Sequence, residues 1–332
     1  MGLAPRMRPT PPARPVHAGS LAGWERLAFA VVFALMLAFV VVVTISSARA
    51  RGHGPTTSAG DPLSAGGTRP VPAASAKAGA RAITGDRPAR ATWDRRLAAA
   101  LAPVLRGHAG SLAVGVIDRS TGAVAVYGRR LRFRAAGIIK PEILAAVLLQ
   151  RPPAEIGLSS EDEDLATQMM EAGDHGAASR LWNLAGGAVG LAAADARLGL
   201  RHTTLGQGEY WGQTTTTVGD QLTMLSDLTA ARSPLSSTER AFELSLMRNV
   251  EAAQRWGVFA AASPGRVHAI KNGGLREGRP GLWVINSIGV LEHGGQRLLM
   301  AVLSNRQPTE AAGIAEADAA AVAAATCMTS GR

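Results

Sequence analysis

At 332 residues and 47% hydrophobic content, the chain is long enough for one large domain or two small ones. Its net charge of +10 belongs mostly to the front: residues 1–90 hold 11 basic and 3 acidic residues, whereas residues 91–332 hold 24 and 22. A nucleic-acid-binding domain clusters basic charge on its folded part, so no nucleic-acid partner is expected. The single cysteine, Cys327, rules out an internal disulfide or a paired-thiol metal motif, and the seven histidines lack metal-ligand spacing, so neither metal nor cofactor is expected.

Residues 1–26 form a basic tail. Leu27 to Val43 is an unbroken apolar run that Thr44 to Ala48 extends without a charge, long enough to span a bilayer as a helix. Trp24 lies at the expected interface. Arg6, Arg8, Arg14 and Arg26 precede the span and Arg49 and Arg51 follow it, which leans toward a cytoplasmic N-terminus. The expected location is therefore the cell membrane, single-pass, with the rest of the chain outside. The alternative is secretion after cleavage near Ala50, because Ala48-Arg49-Ala50 has a small-x-small form. Residues 49–91, rich in Pro, Gly, Ala, Ser and Thr, read as a disordered tether.

The folded domain is expected over residues 92–326, with a short tail at 327–332. Thr92 to Leu105 reads as a helix, which Pro103 kinks or ends early. Ser111 to Ile117 and Ala123 to Tyr127 are strands joined by the turn residues DRSTG, a hairpin. A short extended run at Phe133 breaks at Gly137 and continues as an apolar helix from about Pro141. Further helices are expected over Glu161–Ala172, with an acidic first turn that suits the helix dipole, then over Ala177–Leu184, Ala188–Leu198, Val218–Ala230 and Ser237–Asn249. Ser237 is expected as the N-cap of the last of these. Strands return at Val267–Lys271, Leu282–Leu291 and Leu298–Ser304, before an alanine-rich helix at Thr309–Ala325. Strands at both ends of the domain enclosing a block of helices give an α+β class: one antiparallel sheet flanked by helices plus an all-helical lobe, preceded by one transmembrane helix. A cleft between the lobes is the natural ligand site.

Four stretches, in order, carry a resemblance. They are SLAVGVIDRSTGAVAVYG, GDHGAASRLW, TTTTVGDQLTML, and VHAIKNGGL followed by WVINSIGVL. To these is added Gly137-Ile138-Ile139-Lys140 at a strand-to-helix junction, conspicuous in a chain with 3 lysines against 32 arginines. Together they resemble the class A β-lactamase and DD-peptidase family, the penicillin-recognising serine hydrolases, over about Trp93 to Thr326. In that family the motifs read S-x-x-K, S-D-N and K-T-G. The resemblance implies a serine nucleophile, a lysine one turn later, a second cation for the substrate carboxylate and an oxyanion hole of backbone N–H groups.

Here the nucleophile's place holds Gly137, while Lys140 is kept. The second motif reads Gly173-Asp174-His175, and the third reads Lys271-Asn272-Gly273, followed by Gly274. The expected ligand-facing set is Lys140, Lys271, Asn272, Gly273 and Gly274, with an oxyanion pocket from the N–H groups of Gly137 and Gly274. Pro141, directly after the lysine, is expected to loosen the turn. His175 reads as a loop residue, Asp174 as a loop-fixing one, and Glu209 as a loop carboxylate without the E-x-x-L-N pattern of a deacylating base. Trp182, Trp256 and Trp283 read as core or cleft-wall aromatics.

The resemblance thus implies a membrane-anchored, catalytically inactive relative that binds a peptidoglycan-like or lactam-like ligand or an envelope protein. Two alternatives stand beside it: a weakly active hydrolase using His175 or Glu209 with water, and an envelope scaffold whose cleft is filled by side chains.

Overall fold

The strand sequences explain the architecture. In the most apolar strand, LLMAVL, Leu299, Ala301 and Leu303 belong to one hydrophobic core, and Leu298, Met300 and Val302 to another. Side chains alternate across a strand, so such a run must lie in a sheet covered on both faces. A computed structural model describes residues 87–108, 110–151, 157–278 and 281–330 and shows that sheet. Its strands are β1 (Leu112–Asp118), β2 (Val124–Tyr127), β5 (Val267–Glu277), β6 (Leu282–His293) and β7 (Gln296–Gln307), in the order β2-β1-β7-β6-β5 and antiparallel throughout. A separate two-residue pairing joins β3 (Phe133–Arg134) to β4 (Thr215–Thr216). The expected membrane span at residues 27–48 and the tether up to residue 86 lie outside the described residues.

One face of the sheet is covered by α1 (Arg87–Leu105) and α8 (Glu310–Thr329). Helix α1 starts inside the stretch assigned to the tether, because RPARA has helix-forming residues but nothing large and apolar to betray it. Pro103 stays within α1, near its end. Among the described residues, α8 is the helix long and apolar enough to cross a bilayer. Its Ala317, Ala320, Ala321, Ala324 and Ala325 are fully buried in the core beside the sheet. Small side chains there let the helix approach closely, and a longer residue would be overpacked. Cys327 and Met328 belong to this helix rather than to a tail.

The other face carries the helical lobe. Its hub is α2 (Lys140–Gln150), in which every residue from Lys140 to Leu149 is buried. A helix buried on every side must be surrounded, and α3 (Ser160–Thr167), α4 (His175–Leu184), α5 (Gly187–Leu198), α6 (Val218–Thr229) and α7 (Ser237–Arg248) make up the rest of the lobe. Residues Gln168–Ala172 continue α3 as a π-turn. The start of α7 differs from expectation: Ser236, not Ser237, is the N-cap, because it alone is spaced to form a capping box with Glu239.

Strand β5 is also longer than expected. The strand expected to end at Lys271 runs on to Glu277, with Asn272 opposite Ser287, Gly273 opposite Asn286 and Gly274 opposite Ile285. Glycine inside a strand marks a close approach by another backbone, and the approaching segment is the turn that holds Gly137.

Candidate functional site

Between β3 and α2 the chain makes a 3₁₀ turn, Ala136–Ile139. Ala136 enters it at φ +50°, a left-handed conformation that costs a residue with a Cβ about 1 kcal/mol or more. Asn286 on β6 holds the turn down. Its Nδ2 donates to the carbonyls of Arg134 (2.7 Å) and Ala135 (3.1 Å), and its Oδ1 accepts from Ser304 N–H (3.2 Å). Asn286 is fully buried, so Asn286→Ala leaves these groups unpaired and is expected to destabilise the fold by about 2–4 kcal/mol. Chemical denaturation measures it; a loss below about 0.5 kcal/mol would show that the turn needs no such anchor.

Lys140 follows as the first residue of α2, its N–H bonded to Gly137 O. Pro141 does not loosen the turn as expected. It sits in the first turn of the helix, where its missing donor has no intrahelical partner to lose.

Strand β5 closes on Gly137 from the other side. A Cβ at Gly137 would lie 2.6 Å from Asn272 O and 3.0 Å from Gly273 Cα. A Cβ at Gly273 would run into Gly137 N. The two backbones therefore touch, and a serine side chain has no room at Gly137. The residue facing the Gly137 amide is Gly273; Gly274 is exposed, and a side chain there would face Glu310 of α8. Direct backbone contact therefore joins Gly137 to Gly273, the residue before Gly274.

Both lysines lie in this closed region, each only 1% exposed. Lys140 Nζ donates to Gly173 O and sits 5.5 Å from the Trp211 ring centroid. Burial, then the nearby Lys271, push its pKa down to about 7, against a partial pull from Asp174. Burial alone brings Lys271 down to about 8, and its Nζ has no hydrogen-bond or ion-pair partner among the described residues. Trp211 is buried, donates from Nε1 to Ser179 Oγ (3.1 Å) and meets the His175 ring edge-on at 5.4 Å.

The second motif is similarly filled. Gly173 has φ +78°, which disfavours any side chain. A Cβ there would also meet Gln254 Nε2 at 3.4 Å. Asp174 is the N-cap of α4, its Oδ1 accepting from Ala177 N–H at 2.6 Å. His175 begins α4, and burial followed by Lys140 lowers its pKa. In the third motif Asn272 is held by backbone carbonyls, its Nδ2 donating to Gln254 O (2.7 Å) and Trp256 O (3.0 Å). Glu209 stays in an exposed loop, accepting from Asn183 Nδ2 at 3.3 Å.

Gly137, Lys140, Gly173, Asp174, His175, Lys271, Asn272 and Gly273 thus gather in one place, and Glu209 does not join them. Trp182 is core, its Nε1 bonded to Gly208 O (2.9 Å), whereas Trp256 and Trp283 are half-buried on the α1/α8 side. Sequence reasoning missed Trp211, Gln254 and Asn286. The only available signal was for Trp211, a tryptophan in an otherwise polar glycine-rich loop. No serine, threonine or cysteine side chain hydrogen-bonds either lysine amine among the described residues.

Comparison with known proteins agrees with this geometry. Residues 154–326 match the β-lactamase enzyme family. A Mycobacterium tuberculosis protein that carries the name lipoprotein LppW is 31% identical over 110 residues, 33% of this chain and 35% of that protein. The match therefore spans about a third of that relative. A class A β-lactamase from Bacteroides cellulosilyticus has the same fold, with a TM-score of 0.62 and 15% identity over 72% of this chain and 99% of its own. A β-lactamase from Burkholderia vietnamiensis is similar at TM-score 0.61 and 21% identity, over 71% and 97%. With the family match covering more than half of the chain and the same sheet and helical lobe in the solved relatives, the chain belongs to the β-lactamase enzyme family.

Proposed function

We propose that this is a catalytically silent, envelope-located member of the β-lactamase family that acts by binding. The observation that carries the reading is the nucleophile's seat, where Gly137 lies against Asn272 O and Gly273 with no space for a hydroxyl. Losing the serine of a nucleophile–base pair costs about a million-fold in turnover. Lys140, at the matching base's position, already donates a hydrogen bond to Gly173 O. The lipoprotein name of LppW supports an envelope location, as does the apolar run at residues 27–48, which would anchor the chain with this domain outside the cell. The full chain, purified in detergent and incubated with a fluorescent penicillin, is expected to show no adduct on a denaturing gel. A covalent adduct at any residue would falsify the reading.

The ligand this site suits is a carboxylate, as in a peptidoglycan-like peptide or a lactam. Lys271 is a buried cation without an acceptor, and a charge in that position is costly until it is paired. A second reading, a scaffold that takes no ligand, is favoured by a different observation: both lysines are only 1% exposed, with Trp211 packed against the Lys140 amine. Lys271→Met separates the two. Under the ligand reading it abolishes non-covalent binding of penicillin or a muropeptide; under the scaffold reading there is no binding to abolish.

A further inference from the structure

Away from the lysines lies a groove of about 470 Å³ whose lining includes Arg129, Arg130, Arg132, Arg201, His202 and Asp220. Two chain segments build it: the turn between β2 and β3, and the loop from the end of α5 to the first turn of α6. Residues 91–332 carry 24 basic and 22 acidic residues. Four guanidinium groups against one carboxylate in a single groove is therefore a local excess that the rest of the domain must balance elsewhere.

The carboxylate does little to neutralise them. Asp220 is 4% exposed and accepts from His202 N–H (2.7 Å) and Thr203 Oγ1 (2.9 Å), with His202 Nδ1 3.6 Å away. Arg129 is paired with Asp94 of α1 at 3.0 Å, and Arg132 donates to Thr204 Oγ1 at 2.8 Å. These contacts hold two guanidinium groups in place. Arg130 and Arg201 are exposed and have no hydrogen-bond or ion-pair partner among the described residues. The first turn of α6, with Thr217 and Gly219 also in the lining, adds the positive end of a helix dipole.

Planar guanidinium forks converging from two segments match the tetrahedral oxygens of a phosphate better than a single carboxylate, because each fork donates two parallel bonds. Leu131 is 38% exposed between Arg130 and Arg132, so an apolar side chain stands among the cations. Asp94 also ties the groove to α1, the helix by which the chain enters the domain from its N-terminal side. We propose that this groove is a phosphate-binding site, separate from the lysine site, taking either an anionic lipid headgroup or a soluble phosphoester.

The test uses the full chain in non-ionic detergent at low salt, titrated calorimetrically with pyrophosphate, dihexanoylphosphatidylglycerol and, as a zwitterionic control, dihexanoylphosphatidylcholine. The double variant Arg130→Gln/Arg201→Gln alters two exposed side chains, and its fold is checked by circular dichroism. At least one anionic probe is expected to bind, and the double variant to bind it at least about tenfold more weakly. Tighter binding of the phosphatidylglycerol identifies a lipid source, and tighter binding of pyrophosphate a soluble one. No binding of either anionic probe at millimolar concentration overturns the proposal. So does binding that the double variant leaves unchanged, or binding of the choline lipid as tight as that of the glycerol lipid.

Discussion

Gly137→Ser is expected to leave the protein unlabelled by penicillin and to destabilise it by about 1–3 kcal/mol. The variant supplies the hydroxyl that the family motif lacks, so a naive reading of the motif expects acylation to return. The geometry expects otherwise. Before the hydroxyl is placed, the Cβ that carries it would already lie 2.6 Å from Asn272 O. That oxygen belongs to strand backbone locked in register with β6, so it cannot swing aside as a flexible side chain would. On the other side, Asn286 pins the carbonyls of Arg134 and Ala135, so the turn cannot retreat easily either. Gly137→Ala separates volume from chemistry: it should cost about as much stability as the serine. Melting curves for both variants, with a fluorescent penicillin gel for the serine, decide the matter. A labelled serine variant of unchanged stability would show that β5 gives way readily and that only the hydroxyl was missing.

The second large effect is a pH dependence of stability set by carboxyl groups inside the helical lobe. Glu142 of α2 is 1% exposed, and neither of its oxygens nor Asp195 Oδ1 meets an N–H or hydroxyl donor outside this pair of carboxyl groups. Glu142 and Asp195 of α5 hydrogen-bond each other, which two carboxyl groups can do only by sharing a proton. Burial, then the neighbouring Asp195 charge, hold Glu142 well above the ordinary carboxylate range, and burial brings Asp195 up to about 6. Groups whose pKa is raised by folding keep protons that the unfolded chain loses. The stability they confer is complete in mild acid and declines as pH rises through the folded values. For Asp195 alone, a rise from 3.8 to about 6 corresponds to a loss on the order of 3 kcal/mol. Glu243, fully buried on α7 with no donor at either oxygen, adds to the same limb.

The lysines act in the opposite sense. Lys140 and Lys271, lowered to about 7 and about 8, burden the fold with buried charge at low pH, and that burden lifts as pH rises from those values toward 10.5. The melting temperature is therefore expected to fall between about pH 4 and pH 7 and to recover in alkali. Glu142→Gln, which keeps shape and gives Asp195 a permanent donor, should flatten the falling limb and leave the alkaline rise. Thermal melts across that range check it. A wild-type profile that is flat below pH 7, or a variant with the same slope, would show that the pair is not buried as a proton-sharing unit.

Much of this protein is legible in its residues one segment at a time. The unbroken apolar run LLMAVL calls for a strand covered on both faces, and ILAAVLL, apolar over seven residues, calls for a helix with neighbours on all sides. A lysine three places after Gly137 at a strand-to-helix junction marks the family's turn, and the absent hydroxyl is visible at once. Segment-level reading failed where neighbours overrule local chemistry. The strand expected to end at Lys271 continues through Asn272-Gly273-Gly274, because β6 pairs straight along it.

From its sequence alone this chain is a β-lactamase relative without a serine at the nucleophile's place, since periodicity and motif spacing are properties of contiguous residues. Only the tertiary structure decides that the serine's seat is also closed, that Trp211 packs against the Lys140 amine, and that four arginines from two distant segments share a groove. Those are matters of van der Waals fit and charge between backbones brought together by folding, and no period or spacing along the chain encodes them.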